Sequence, residues 1–447
     1  MFPGKMQLWL RQGKRRQMSK ETGKLPPESF IGDIFRQRPL APDPSAPIPA
    51  AFVRSPSWHP FLYRKRIDRV EKAKLGDLLA VYGPNDRVLG YGLYNPRSEI
   101  AVRMVFHGEE LPDNAAWQNK LDEAVALRRD MLRLDEVTDA YRLIHAEADG
   151  LSGLVVDRLG DVLSAEAYTL GMYQRAEAIL ARLAPALGTK FSVVRPSPQF
   201  LSQEGYEPPG FASDDLPQEV TIREYGTRFR VRFVGGHKTG FFCDQRENRK
   251  RLAEFCEGRT VLDLCCYTGG FAVQAKCLGK AAEVTGVDLD EEPLKLAREN
   301  ANLNQARVRF VQDDAFAYMR EMLRLDRRYD VVVLDPPKLI RCRAELEEGT
   351  RKHFDLNRLA MRLVKPGGLF LSCCCSGLLK EDDFVKLLRQ SAYQAGELIS
   401  AASAETAERH AARPMQFLAR TGAAADHPVS ATVPETEYLK AVWMRVG

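Results

Sequence analysis

The order of apolar and polar positions divides the chain into stretches of different periodicity. From Phe52 to Phe106, short segments alternate apolar and polar residues and are broken by turn residues, as in GDLLAVYGPNDRVLGYGLYNPRSEIAVRMV. Period-two alternation predicts half-buried strands, with Pro84-Asn85-Asp86 as a hairpin turn, and the whole reads as a small β-barrel. A helix is predicted next, with Trp117, Leu121, Val125 and Leu132 on one stripe. The segment YRLIHAEADGLSGLVVDRLGDVLSAEAY then predicts strands joined by a glycine turn, and Arg175 to Leu187 a helix, giving a compact α+β unit that ends near Pro217.

After Val231 strands alternate with helices. Strands are expected at Thr260 to Leu264, Val284 to Asp288, Val308 to Gln312, Asp330 to Leu334 and Leu369 to Cys373. Helices are expected between them at Gly270 to Leu278, Glu292 to Leu303, Phe316 to Leu325 and His353 to Leu363. This alternation predicts an α/β domain with a parallel, doubly wound sheet. The expected organisation is therefore an extension at 1–51, a barrel at 52–107, a middle α+β domain at 108–217 and the doubly wound domain at 218–447.

Composition changes the picture at the beginning of the chain. The first fifty residues hold eight prolines, which lack the donor that a helix or central strand needs, so a disordered extension is expected. They also hold nine Lys/Arg against four Asp/Glu, and the remaining residues balance at 56 of each sign. The whole net charge of +5 thus sits in the extension, and any nucleic-acid contact by the body must use local patches. The first twenty residues contain no acid, which also suits an organellar transit peptide, but the Pro-rich continuation favours a flexible tail.

All nine cysteines lie between Cys243 and Cys375, several of them adjacent, in neither a disulfide framework nor a zinc-knuckle spacing. Reduced thiols, no metal and a cytoplasmic location are expected. No stretch approaches the ~18 uninterrupted apolar residues of a membrane span.

In a doubly wound sheet ligands bind beyond the carboxyl ends of the strands, so chemistry is expected just after each one. After the first comes Asp263-Leu264-Cys265-Cys266-Tyr267-Thr268-Gly269-Gly270-Phe271, a small-residue turn without GxGxxG spacing. It suits a cofactor with one carboxylate and no pyrophosphate, such as S-adenosylmethionine, as well as it suits an ordinary strand-to-helix turn. Asp288 ends the second strand, where a ribose diol would lie, and Asp314 follows the third beside Phe316, where adenine would lie. For either acid alone, helix capping is the commoner role.

The fourth strand stops at Asp335-Pro336-Pro337-Lys338, a rigid exit that would hold a carboxylate against a flat base edge, with Lys338 available for phosphate. The fifth runs into Cys373-Cys374-Cys375-Ser376-Gly377. Alternation points Cys374 opposite to Cys373 and leaves Cys375 nearest the ligand edge, where a thiolate could attack carbon 6 of a pyrimidine. Upstream, Gln245 and Arg246 could pair with a cofactor carboxylate or a phosphate.

Taken together these residues resemble the bacterial 23S ribosomal RNA cytosine-5 methyltransferases that carry an N-terminal PUA domain. The resemblance rests on GGHKTGFFCDQRENR, VLDLCCYTGGFAV, DPPK, CCSGLL and ADHPVSATVPETEYLKA, with YRLIHAEADGLSGLVVDRLGD and Trp58-His59-Pro60-Phe61 upstream. It implies a Rossmann-like class I methyltransferase domain that uses S-adenosylmethionine, and a PUA barrel that helps grip ribosomal RNA. It implies Cys375 as nucleophile and Asp335 at the cytosine edge. It further implies Tyr267, Thr268, Gly269, Gly270 and Phe271 around the methionine portion, with Asp288 at the ribose and Asp314 at the adenine.

Two departures from the family pattern matter. Pro337 and Lys338 stand where many RNA 5-methylcytosine enzymes carry a second cysteine, so the base that releases the adduct is unassigned. Family members usually read S-C-S-G, which makes Cys374 a rival to Cys375. N-methylation of a ribosomal purine, and a noncatalytic RNA-binding scaffold, remain alternatives. The sequence leaves open the target nucleotide, free RNA against assembled subunit as substrate, and homodimer against monomer.

Overall fold

The computed structural model describes residues 33–233, 240–396 and 412–447, with the backbone of Leu398–Ile399 and Arg409–His410. Residues 1–32 of the expected extension, and Gly235 to Thr239 of the glycine-rich segment, lie outside the described residues. From Gln37 onward the expectation of disorder is wrong. Arg38 bonds Asp77 at 2.6 Å, Leu40 is buried, and the Pro49 carbonyl accepts from Ala80 N at 2.9 Å. Prolines still accept hydrogen bonds, and side-chain contacts do the rest.

Strands β1 (Ala50–Val53), β2 (Phe61–Tyr63), β3 (Ile67–Glu71), β4 (Leu78–Tyr82), β5 (Val88–Tyr94) and β6 (Ile100–His107) form one sheet in the order β2-β6-β5-β4-β1-β3. It begins at Ala50, two residues before the expected boundary. Ala51, Val53, Leu62, Leu79, Val81, Val102 and Met104 make its core.

The helix Asn114–Ala126 is capped by Asp113, which accepts from Ala116 N at 2.8 Å, and it passes into a π-turn at Leu127–Met131. Its buried stripe is Trp117, Leu121, Ala124 and Arg128, whereas Val125 and Leu132 are only half-buried. A 3.6-residue period steps by four, three and four here, which favours a small residue and a charged one over the larger apolar side chains.

The middle sheet runs β11-β10-β9-β8-β7, with β7 (Ala140–His145), β8 (Leu154–Leu159), β9 (Val162–Ala167), β10 (Phe191–Pro196) and β11 (Phe211–Ala212), and the helix Ala176–Leu187 packs on it. A hairpin, β12 (Glu219–Glu224) and β13 (Thr227–Arg232), leads into the last sheet.

That sheet runs β16-β15-β14-β17-β18-β22-β21. Strands β14 (Thr260–Leu264), β15 (Glu283–Asp288), β16 (Arg309–Gln312), β17 (Tyr329–Leu334) and β18 (Val364–Cys374) are parallel. A short pair, β19 (Leu398–Ile399) and β20 (Arg409–His410), precedes β21 (Met415–Thr421) and β22 (Lys440–Val446), which add antiparallel strands at the edge. The sheet is therefore mixed, where a parallel one was expected. Its strands are buried on both faces: Leu262, Leu264, Phe370 and Cys374 pack on one side, and Val261, Val333, Leu371 and Cys373 on the other. The last crossover helix starts at Leu346, seven residues before the expected His353. Its Gly349 sits where an added Cβ would come within 2.4 Å of Ile340, so the polar first turns are held by close approach to the proline loop.

A buried cluster around Asp426 joins the middle domain to this one. Arg246 gives its fork to Asp426 at 3.0 and 2.9 Å, and the Arg142 amide donates to the same carboxylate at 2.8 Å. Arg128 donates to the Asp426 carbonyl at 2.8 Å and grips Asp149 at 2.7 and 2.9 Å. Burial alone would raise the Asp426 carboxyl, but His427 and Arg246 beside it hold it well below the usual carboxylate range. Asp426→Asn leaves the Arg246 guanidinium buried without its counter-charge and is expected to cost about 3–5 kcal/mol in urea unfolding at neutral pH. The folded carboxyl is depressed, so its stabilisation is complete above about pH 4 and fades as acid approaches the folded value. The variant should accordingly lose less stability than the wild type on acidification.

Candidate active site

The carboxyl ends of β14, β15, β17 and β18 open into one cleft of about 1420 Å³. A single small ligand takes about 300–1,000 Å³, so there is room for a cofactor and a nucleotide together. Phe61, Tyr63 and Arg97 reach the cleft from the first sheet, and Arg142, His145 and Tyr168 from the middle one.

The turn after β14 is held in a conformation that side chains usually avoid. Cys265 and Tyr267 have φ of 60° and 50°, in the left-handed region, at a cost of about 1–3 kcal/mol each. Backbone bonds hold it there: Cys266 N donates to the Val287 carbonyl at 3.0 Å, and Gly269 N to the Cys266 carbonyl at 2.8 Å. Tyr267 N donates to Asp288 Oδ2 at 2.8 Å, while Asp288 Oδ1 accepts from Asp290 N at 3.0 Å. Asp288 is thus no helix cap; Asp290 caps the following helix. Each Asp288 oxygen keeps a second lone pair for a ligand.

Asp263 is 1% exposed, with Oδ2 accepting from Ala272 N at 2.9 Å and Oδ1 buried without a hydrogen-bond partner. Burial raises its carboxyl well above the usual value, with Asp335 and Asp288 adding to the rise. An orphaned acceptor beside a cleft calls for a donor-bearing or cationic ligand, which S-adenosylmethionine is. Thr268, Gly270 and Phe271 line the cleft, and an added Cβ on Gly270 would come within 3.2 Å of Arg249. Gly269 is not among the lining residues; it supplies a φ of 78° and space for Phe310. Asp314 lines the cleft beside Phe316 and also caps its helix, accepting from Ala317 N at 3.0 Å.

Of the three adjacent thiols, Cys373 and Cys374 are fully buried on opposite faces, and only Cys375 lines the cleft. Burial raises both buried thiols, and Cys374 lies 3.6 Å from His353 Nε2. The turn beyond Cys375 is clamped by Lys440, whose ammonium donates to the Ser376 and Leu379 carbonyls at 2.7 and 2.9 Å. Asp335 lines the same cleft, its amide donating to the Leu264 carbonyl at 3.3 Å. Lys338 and Arg341 stand exposed where the proline loop meets the cleft.

The two upstream residues differ from expectation. Gln245 lines the cleft, but its Nε2 donates to Asp335 Oδ2 at 3.1 Å and its Oε1 accepts from Asn248 at 2.7 Å, so its amide serves the carboxylate. Arg246 is fully buried and spent on Asp426, which removes it as an anion binder. Sequence reasoning also missed the cleft wall at Asp244, His145 and Tyr438. Tyr438 Oη donates to Asp244 Oδ2 at 2.6 Å, and burial followed by Arg142 pushes His145 down to about 2, leaving a neutral imidazole. The motifs that carried these residues were visible; their mutual contact was not.

Residues 202–410 match the S-adenosylmethionine-dependent methyltransferase family and residues 57–105 a PUA-like domain. The chain is 35% identical over 396 residues to the ribosomal RNA large subunit methyltransferase I of Enterobacter sp. (strain 638), covering 87% of this chain and 95% of that one. The protein of the same name from Shewanella denitrificans matches equally, at 35% over 396 residues with 87% and 95% covered. Among solved structures, a methyltransferase complexed with SAH aligns with a TM-score of 0.71 at 19% identity, covering 89% of this chain and all of the other. A SAM-dependent methyltransferase from Streptococcus mutans gives 0.69 at 19%, with 89% and 100% covered, and both share this fold. Among the described residues no helix is long and apolar enough to cross a membrane. With relatives of this identity along most of its length, a PUA-like domain and a cleft suited to S-adenosylmethionine, the chain belongs to the ribosomal RNA large subunit methyltransferase I family of S-adenosylmethionine-dependent enzymes.

Proposed function

We propose that this enzyme methylates carbon 5 of a cytosine in large-subunit ribosomal RNA through a covalent adduct at Cys375. The observation that carries the reading is that Cys375, alone of three adjacent thiols, lines the cleft that Asp335 also lines. Carbon 5 of cytosine is too poor a nucleophile to take a methyl group unaided. Addition of the Cys375 thiolate to carbon 6 breaks the ring's conjugation and turns carbon 5 into an enamine carbon, while a proton held at Asp335 offsets the charge gathering on ring nitrogen 3. The cofactor, when bound, supplies an electrophilic methyl group on a sulfonium. Loss of the carbon 5 proton to a base then expels the thiolate and restores the ring.

The residues around the cleft divide the remaining work. Asp288 is placed for the ribose hydroxyls, Asp314 with Phe316 for adenine, and the Asp263 Oδ1 acceptor and the Tyr267 to Phe271 turn for the methionine portion. Arg97, Lys338 and Arg341 are exposed cations suited to phosphates, and Phe61 and Tyr63 offer rings on which unpaired bases stack. A base unstacked from RNA reaches a site of this depth at a cost of a few kcal/mol, which such contacts offset.

Cys375→Ala should abolish methyl transfer while S-adenosylmethionine binding, followed by calorimetry, stays near the wild-type value; retained transfer would reject the adduct. RNA bearing 5-fluorocytosine has no carbon 5 proton to lose, so it should remain attached to the wild type and not to Cys375→Ala in a denaturing gel. Asp288→Ala removes both a cofactor acceptor and the carboxylate that holds Tyr267 N, and S-adenosylmethionine affinity should fall at least about tenfold, or about 1.4 kcal/mol.

A further inference from the structure

A row of polar side chains runs from the interior of the doubly wound domain to Asp335, and methyl transfer as described leaves all but its last link without a role. Trp443 Nε1 donates to Thr421 Oγ1 at 2.8 Å, and Thr421 Oγ1 donates to Asn248 Oδ1 at 2.7 Å. Asn248 Nδ2 donates to Gln245 Oε1 at 2.7 Å, and Gln245 Nε2 to Asp335 Oδ2 at 3.1 Å. Trp443, Asn248 and Gln245 are 1, 2 and 4% exposed and Thr421 is half-buried, so water offers little competition at the links nearest Asp335.

One end dictates the direction of every bond. An indole N–H can only donate, so the Thr421 oxygen receives it and has a single proton left to give. The nearer acceptor for that proton is Asn248 Oδ1 at 2.7 Å, against the Ala441 carbonyl at 3.4 Å. The Asn248 amide must then turn its nitrogen toward Gln245. The Gly422 carbonyl, which can only accept, demands the same orientation, since Asn248 Nδ2 donates to it at 3.1 Å. Gln245, facing a donor on one side, can only present its N–H to Asp335 on the other. A side-chain amide that is free to flip would present either end.

We propose that Thr421 and Asn248 are positioning residues for catalysis, which act through Gln245 to hold the Asp335 carboxyl group in one orientation. The Gln245 N–H, turned toward Asp335 by the row, holds Oδ2 as an acceptor and so fixes the plane in which the carboxyl group faces the cleft. The inference rests on the reading of Asp335 as the group that meets the target base. None of the residues acting through Gln245 needs to touch substrate or cofactor.

The test compares the wild type with Thr421→Val, Thr421→Ser and Asn248→Asp, using S-adenosylmethionine and large-subunit ribosomal RNA. Thr421→Val keeps the volume and deletes the hydroxyl. It should lower kcat about tenfold, the scale of loss expected from a misdirected catalytic group, with KM for RNA and Kd for S-adenosylmethionine within about twofold of wild type. Thr421→Ser restores the hydroxyl and should restore kcat. Asn248→Asp replaces a donor by an acceptor of the same size, draws the Gln245 N–H away from Asp335 and should lower kcat at least as far.

A folded Asn248→Asp enzyme with wild-type kcat, or a loss confined to KM and Kd, overturns the proposal, and this variant decides alone should Thr421→Val fail to fold. Mass spectrometry of the methylated nucleoside separates the two levels. A product other than 5-methylcytosine removes the proposed function, while the same kcat comparison on that product still decides the role of the row.

Discussion

A strand covered on both faces has no surface on which to present a reactive side chain except beyond its carboxyl end. Strands β14, β15, β17 and β18 are covered in this way, and each delivers its polar residue at or near that point: Asp263 one residue before the end of β14, Asp288 at the end of β15, and Asp335 and Cys375 just past β17 and β18. The side-chain period of two does the sorting. It sends Cys373 and Cys374 into opposite cores, and the first thiol past the ladder into the cleft. A slip of one residue in β18 would bury Cys375 and expose a core thiol, so the register of this strand against β17 and β22 decides which thiol meets the cleft.

The charged residues of the interior have a different task. Arg246 pairs with Asp426 inside the catalytic domain, and the Arg142 amide and the Arg128 guanidinium reach the same residue from the middle domain. Such groups are costly to bury and rarely contribute more than a well-packed apolar core would. What they add is geometry: the bidentate Arg246 fork fixes Asp426 in the place where the Arg142 amide and Arg128 of the middle domain meet it. The cleft therefore combines a flexible chemistry of exposed cations at its mouth with a rigid frame behind it.

Most of the catalytic layer was legible because its signals are local. The strand ends at Leu264, Asp288 and Leu334, and the alternation at Cys373 to Cys375, need only a window of a few residues. What escaped was non-local. Arg246 reads as an anion binder because a guanidinium in a polar run has no visible partner; its carboxylate lies 180 residues away, and the carbonyl that takes Arg128 lies 298 away. Gln245 was misread for the same reason, with Asp335 lying 90 residues downstream. Residues 37–49 were read as disordered because proline content reports the absence of regular ladders and is silent on side-chain docking. The antiparallel edge strands β21 and β22 were missed because the sequence between them looks like loop, and only pairing with β18 gives them their place.

The placement of β22 in the sheet has an implication for biogenesis. This strand follows every other strand of the sheet in chain order, pairs directly with β18, and carries at its start Lys440, which clamps the turn just beyond Cys375. A polypeptide made amino end first thus lacks the clamp on the Cys375 turn until β22 has followed β18 off the ribosome, some seventy residues after the thiol itself.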